Sequence, residues 1–400
     1  MLPFLRGGIW RNFFSKYGES NLLHKKMLHV SQKVRELFEH PHPVQAFRDA
    51  RAQARTLALR GQCNDPYWHG VFGGLYSPHL RTALWRCLIQ AEAIADTLTN
   101  PTGHYQNVST LDFDSDGHEE IYFTSDRYAA VLCPADGATI SALDCRQSNA
   151  ALVNSLARRP ESYHAKLKNL PTSAAHGAQS IHEQTRAKET GLDRWLNYDR
   201  WARHCFRLLL FGRDKKHQDC GTARLAEEAA LAAGSYRTVK VSPTQATLAS
   251  EASVDWPVEK TFSFANSATG FGILCDVTLR RAAPGAASLY LGIETVLNFL
   301  APSSSDRYFE AAGQRYPLRW SAAAPGSNLR VVDEWQGVSV TLTAPRAEEF
   351  WITPIETVSE SEEGFERIYQ GSQIVAVWPL EMVSGAEWHG QLNFNVARLG

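Results

Sequence analysis

The sequence predicts an α+β, multi-domain chain: a small three-helix bundle followed by a large antiparallel β-sandwich. Three observations carry that expectation. Up to about residue 100 apolar side chains recur at three-to-four spacing, the helical period. From about residue 108 the period changes to two, in short β-rich runs separated by Gly, Pro and Asp turns, the pattern of a sandwich. At 400 residues the chain is also long enough for more than one domain. The expected boundaries are a helical domain over 1–100 and a sandwich over 108–400.

The helices follow in order. Ser20 reads as an N-cap for a helix with Leu23, Met27, Val30, Val34, Leu37 and Phe38 on one face, ended by the Pro41 and Pro43 pair. A second helix starts near Val44, with Phe47, Ala50, Ala54, Leu57 and Ala58 as its stripe. Ser77-Pro78 is the best start signal in the chain, a capping residue followed by proline at the first helical position. Behind it Leu80, Leu84, Cys87, Leu88, Ala91, Ile94 and Ala95 make a third stripe. Asn100-Pro-Thr-Gly103 ends the helical part. Strands are then expected at Glu120–Thr124, Tyr128–Cys133, Thr139–Leu143, Lys260–Phe264, Phe271–Arg280, Ser288–Phe299, Val338–Thr343, Gln373–Trp378 and Gln391–Val396. Residues 150–250 carry the weakest pattern, with the Ala-rich 221–234 read as a helix or a covering loop.

Composition excludes several classes of function. Lys plus Arg is 41 against 42 Asp plus Glu, so bulk charge offers nothing to a nucleic acid. The longest apolar runs, Leu208–Phe211 and Leu289–Ala301 interrupted by Glu294, fall short of a bilayer span, and no membrane association is expected. The N-terminal Met1-Leu-Pro-Phe-Leu-Arg6 places a charge where a signal peptide has its apolar core. Seven scattered cysteines without a CxxC pair argue against a disulfide scaffold or zinc site and suit a cytoplasmic location. Neither GxSxG, GxGxxG nor a P-loop occurs. The aromatic load is heavy, with 11 Trp, 13 Tyr and 18 Phe; flat rings with a polar edge suit sugars, and they equally fill β-sandwich cores.

Between the second and third helices lies a segment of another kind. Asn64, Asp65, Tyr67, Trp68 and His69 gather hydrogen-bonding groups and flat faces, while Gly70, Gly73 and Gly74 permit close backbone approach. The run from Gln62 to Arg81 resembles the last conserved region of glycoside hydrolase family 57, the α-amylases and 4-α-glucanotransferases. Arg6-Gly-Gly-Ile-Trp-Arg-Asn-Phe-Phe-Ser-Lys-Tyr17, with Glu19-Ser-Asn21 and His24–Leu28, looks like that family's central helical domain. Asn154–His164, Ile355–Ser359 and Gly364–Gly371 look like its C-terminal sandwich, which is similar to the galactose-mutarotase supersandwich. The resemblance implies substrate-binding roles for three residues: Asp65 hydrogen-bonding a sugar hydroxyl, Trp68 stacking on a glucose ring, and His69 nearby. The alternative is a structural loop whose Trp plugs the bundle and whose Asp caps the third helix. Family members begin with a barrel that carries a catalytic Glu and Asp. Neither has a counterpart here, so no catalytic residue is assigned.

A second constellation is Asp112-Phe-Asp-Ser-Asp-Gly117-His-Glu-Glu120. Asp112, Asp114, Asp116 and Glu120 place oxygens around a tight turn as a calcium site would, without the position-twelve Glu of an EF-hand. The alternative is an acidic β-turn closed by side-chain-to-backbone hydrogen bonds. No other cofactor is indicated. The expected function is that of the C-terminal portion of a family 57 enzyme acting on α-1,4-glucans or maltooligosaccharides, completing the cleft of a retaining barrel that could be separately encoded. Two alternatives stay open: a non-catalytic carbohydrate-binding or scaffold module, and an autonomous mutarotase-like enzyme.

Overall fold

The computed structural model describes residues 9–39, 41–69, 74–100, 102–168, 188–225, 231–251, 253–361 and 364–399. Helices come first: α1 (Trp10–Lys16), α2 (Gly18–Glu36), α3 (Gln45–Arg60) and α4 (Pro78–Thr99). The three expected helices are present, preceded by the short α1. Helix α2 begins three residues earlier than read, with Tyr17 at the cap. Ser20 is therefore not a cap: it lies inside the helix, and its hydroxyl donates to the Tyr67 carbonyl. Ser77 does stand at the N-cap of α4 with Pro78 at the first position, although its side chain makes no capping bond. Of the α2 stripe, Leu23, Val30, Val34 and Leu37 are buried, whereas Phe38 is exposed beneath the Arg51 guanidinium.

The helices lie on a five-stranded antiparallel sheet of β1 (Gln106–Leu111), β2 (Glu120–Ser125), β3 (Tyr128–Cys133), β4 (Thr139–Cys145) and β5 (Ala150–Ala151). Alternate residues point to opposite faces. Tyr122, Ala129, Val131 and Cys133 join the helical core, while Ile121, Phe123, Ala130 and Leu132 face the sandwich. Strands β2, β3 and β4 are thus buried on both sides, which is why they read as apolar runs.

Two short helices, α5 (His164–Lys168) and α6 (His217–Gly221), flank β6 (Arg207–Gly212). The remaining strands are β7 (Tyr236–Ser242), β8 (Gln245–Ser250), β9 (Val258–Asn266), β10 (Gly270–Arg280), β11 (Ala287–Leu297), β12 (Arg307–Ala311), β13 (Gln314–Pro317), β14 (Ala322–Pro325), β15 (Asn328–Asp333), β16 (Val338–Thr343), β17 (Glu349–Ser361), β18 (Gly364–Met382) and β19 (Glu387–Arg398). A nine-stranded sheet runs β13-β12-β15-β16-β19-β10-β9-β8-β7, and a second five-stranded sheet runs β14-β17-β18-β11-β6. Every pairing is antiparallel, the longest between β17 and β18, with a register shift at Ile355/Glu356. The largest apolar cluster lies between these sheets and the inner face of β2–β4. The run Leu208–Phe211 is β6, at the edge of its sheet beside β11. It feeds Leu208 and Leu210 to the main core and Leu209 and Phe211 to a smaller cluster with Cys220, next to α6. The Ala-rich 221–234 departs from expectation in part: the helix is α6, ending at Gly221, and 226–230 lie outside the described residues.

A buried ionic network fixes the helices to the first sheet. Lys26 Nζ on α2 lies 2.6 Å from Glu92 Oε2 on α4 and 3.0 Å from Asp144 Oδ2 on β4. Lys33 reaches Glu92 and Asp96, and Arg146 reaches Asp96 at 2.6 Å. Tyr122 donates to Glu92 Oε1 at 2.6 Å. Burial alone would raise the Glu92 carboxyl, but Lys26, Lys33 and Arg146 outweigh it and hold it well below the usual range. Removing Lys26 takes from Asp144 its salt-bridge partner among the described residues and leaves Glu92 with the Lys33 and Arg146 charges only, in a low-dielectric interior. Lys26→Met is therefore expected to cost about 3–5 kcal/mol of unfolding free energy, the range for breaking a buried pair. Urea titration of both proteins checks this, and a loss under about 1 kcal/mol would mean that the network contributes no more than an exposed pair.

Candidate functional site

The segment between α3 and α4 is held by its own buried residues. Gly61 ends α3, and Tyr67 donates its hydroxyl to the Gly61 carbonyl at 2.6 Å. A single 3₁₀ turn, Asp65–Tyr67, buries Pro66 and Tyr67 while leaving Asp65 exposed. Leu75 N–H then donates to the Trp68 carbonyl at 2.7 Å, closing the loop. Gly74 makes that closure possible. It sits at φ +51°, and a Cβ there would meet the Trp68 carbonyl oxygen at 2.2 Å.

Within this frame the three expected binding residues stand close together in sequence but in different settings. Asp65 is free at the surface. Trp68 is half-buried, neither outward-pointing nor a core plug, and its indole N–H finds no partner among the described residues. That nitrogen is itself buried, so what the residue offers a ligand is the exposed part of its ring. His69 packs edge-on to Tyr76 at 4.5 Å and to Tyr163 at 5.6 Å, so it turns toward the sandwich. Asp65 does not cap α4, whose N-cap is Ser77. Gly70 and Gly73 lie outside the described residues.

Behind the loop is a cluster that the sequence does not reveal. Glu161 accepts from Lys16 Nζ at 2.6 Å, Tyr17 Oη at 2.8 Å and Tyr76 Oη at 2.7 Å. Arg81 on α4 donates to the Leu75 carbonyl, to the Asn154 carbonyl at 3.1 Å and to Gln370 Oε1 at 2.8 Å. Gln370 in turn donates to the Tyr76 carbonyl and the Thr357 hydroxyl, both at 2.9 Å. Loop, N-terminal helices and sandwich are thereby locked together. The signal present in the sequence was the Glu161-Ser-Tyr-His164 run, with Lys16-Tyr17 far upstream. Only the fold brings them to one place.

The acidic turn is partly as expected. Asp112, Asp114 and Asp116 each place one carboxylate oxygen within 4.8 Å of the others. Asp112 accepts the N–H groups of Asp116 and Gly117, and Asp116 accepts that of His118, so the turn is closed by its own side chains. Burial pushes the Asp114 carboxyl up to about 6, with Asp116 and Asp112 adding to the shift. Glu120 lies beside this set without joining it: it is buried, its Oε2 accepts Phe113 N–H at 2.8 Å, and burial, with the neighbouring Asp114 charge, raises it to about 8. The turn after Gly117 carries β2 back beneath residue 113, so that Glu120 borders one hollow with Asp114 and Asp116.

Glu161 provides a pH test of the lock. Burial would raise its carboxyl, but the bonds from Lys16, Tyr76 and Tyr17 hold it below the ordinary value. A depressed folded-state value stabilises above the unfolded one, near 4.3, and that stabilisation disappears as pH falls through the folded value. Glu161→Gln is therefore expected to melt below wild type at pH 7, with the gap closing as pH drops past about 4. Melting curves across that range check it; a constant gap would assign the effect to shape and not to charge.

Known proteins were compared with this chain. The alpha-amylase/4-alpha-glucanotransferase C-terminal domain matches residues 112–392, and the middle domain of the same family matches residues 8–95. Alpha-amylase 1 of Dictyoglomus thermophilum is 34% identical over 98% of this chain and 55% of its own length. The 4-alpha-glucanotransferase of Thermococcus kodakarensis is 31% identical over 94% of this chain and 51% of its own. The crystal structure of 4-alpha-glucanotransferase from Thermococcus litoralis superposes with a TM-score of 0.72 at 27% identity, covering 98% of this chain and 52% of that one. The chain thus spans about half the length of the relatives it matches. With both domain matches in chain order on the helices and sandwich described above, the chain belongs to the alpha-amylase/4-alpha-glucanotransferase family, glycoside hydrolase family 57, and corresponds to its middle and C-terminal domains.

Proposed function

We propose that residues 1–100 and 108–400 are the helical and sandwich domains of an enzyme acting on α-1,4-glucans, and that the loop between α3 and α4 forms one wall of its sugar cleft. The observation that carries this reading is the half-buried Trp68, with part of its ring exposed, beside the exposed Asp65 on a backbone pinned by Gly74 and Tyr67. In this reading Asp65 accepts from a sugar hydroxyl, the Trp68 ring supplies a stacking face, and His69 borders the subsite. The opposing wall is a catalytic barrel. Ile9 and Trp10, 67% and 44% exposed at the start of α1, offer it an apolar contact, whereas Phe14 is buried and unavailable to it. Among the described residues no helix is long and apolar enough to cross a membrane. A cytoplasmic location is supported by seven cysteines that are all free thiols, five of them buried.

One stacking face and one or two hydrogen bonds, each worth roughly 0.5–1.5 kcal/mol, amount to millimolar affinity at best. Maltopentaose is therefore expected to shift the NMR signals of residues near 65–69 only at millimolar concentrations, and Trp68→Ala to abolish the shifts. Because the ring is half-buried, that variant should lose about half of the ~3–5 kcal/mol of a full core truncation. No shift in wild type, together with a full core-sized loss, would end the binding role.

Catalysis gives a second test. A retaining glycosidase needs two carboxyl groups about 5–5.5 Å apart, one of them free to act as nucleophile. Asp65 has no assigned partner, and Glu161 is saturated by Lys16, Tyr17 and Tyr76. Residues 1–400 alone are expected to turn over neither starch nor maltooligosaccharides. Activity that survives repurification and is lost in Asp65→Asn would overturn this and favour an autonomous enzyme.

A further inference from the structure

On the face of the β14-β17-β18-β11-β6 sheet that α6 borders there is a concavity of about 570 Å³, and Arg158, Trp195 and Asn197 of its lining also border a small adjoining pocket that Tyr76 closes. This volume is within the range of small-molecule sites. Its lining is unlike the rest of the surface: Arg158, Arg194, Arg319 and Arg367 stand against a single carboxylate, Glu356.

These guanidiniums are not equivalent. Arg158 is consumed by Asp199 and the Gly221 carbonyl and serves as floor. Arg319 and Arg367 share Glu356, at 2.9 and 3.1 Å. Arg367 also reaches Glu189 at 3.3 Å, but its Nε is buried without a hydrogen-bond partner. Arg194 is exposed and has no ion-pair partner among the described residues. Positive charge therefore converges on one hollow from three separate segments, the 3₁₀ turn Leu192–Trp195, the stretch before β14, and β18, and Arg194 is the member without an ion pair among the described residues. Rigid forks of this kind match the oxygens of an anion. Donors from three directions suit a phosphate, with three terminal oxygens, better than a planar carboxylate with two.

The hollow also holds an aromatic face. Trp195 is 43% exposed, with the Arg367 guanidinium 4.1 Å from its ring centroid on one side. Asn197 and Gln218 add neutral donors and acceptors to the wall. A ligand that satisfies both halves carries a phosphate at one end and a hydroxyl-rimmed ring with a C–H face at the other. We propose that this concavity binds a phosphorylated monosaccharide, its phosphate on Arg194, Arg319 and Arg367 and its ring against the exposed part of Trp195. The site uses neither Asp65 nor Trp68, which line neither it nor the adjoining pocket at Tyr76.

The test is calorimetric titration of the full chain at low salt with glucose 6-phosphate, glucose 1-phosphate, inorganic phosphate and maltose. At least one hexose phosphate is expected to bind about tenfold or more tightly than either inorganic phosphate or maltose, since only it uses both halves. Arg194→Ala should weaken that binding about tenfold, the loss of one charge-assisted contact, with an unchanged melting temperature. Ser321→Glu, which sets an acid in the exposed lining, should abolish it, and Trp195→Ala should remove the preference over inorganic phosphate. Absence of binding by both hexose phosphates overturns the proposal. So does affinity that is indifferent to Arg194→Ala and Ser321→Glu, or inorganic phosphate binding as tightly as the sugars in wild type.

Discussion

The helices do not close a core by themselves: the outer face of β2–β4 closes it, and the ionic network around Glu92 fixes where the two meet. Hydrophobic burial drives the contact but is non-directional, so Leu23, Val30, Leu88 and Val131 would pack in many relative orientations. Lys26 removes that freedom by meeting Glu92 on one helix and Asp144 on a strand at the same time. Pairs this deeply buried give little net stability over well-packed apolar replacements, because desolvation offsets attraction. Their effect here is positional. With α2 and α4 set against the sheet, Tyr76 and Arg81 come to their partners on the sandwich, and the loop between α3 and α4 is presented in one orientation.

A similar economy operates inside the sandwich. Lys260 on β9 is wholly buried, and its ammonium donates to the carbonyls of Gly137, Ala138 and Phe206 at 2.6, 3.1 and 2.8 Å. Burial brings its value down to about 7. Three backbone acceptors from two separate turns would otherwise be orphaned where the first sheet meets the other two. One long side chain resolves the junction.

How much of this was legible depends on the range of the interaction concerned. Strands β3 and β16 were read with their observed bounds, since apolar β-rich runs between turns are a local signal. Pro78 at the start of α4 is local too. Helix α1 was missed because seven residues with no side-chain cap and a Trp10-Phe13-Phe14 cluster carry too little periodicity. Exposed β7, with four consecutive residues facing solvent, lacks the alternation that marks a half-buried strand. In the site, Asp65, Trp68 and His69 were visible through composition and family likeness, and the aspartate trio through spacing. Glu161 was not, because Lys16, Tyr17 and Tyr76 lie 145, 144 and 85 positions from it. Ser20 looks like a cap for the same reason: its partner, the Tyr67 carbonyl, is a tertiary one.

The bond between Arg81 and Gln370 joins residues 289 positions apart. At roughly 5–20 residues per second, a ribosome needs about 15–60 s to travel from one to the other. Throughout that interval α4 is complete, but Arg81 and the Tyr76 carbonyl have no sandwich to bind. The loop with Asp65 and Trp68 therefore gains its last anchors only when β18 arrives, although it is encoded near the beginning. A nascent chain of this protein carries that loop without its distant anchors for most of its synthesis, closed only by the local bonds of Tyr67 and Leu75.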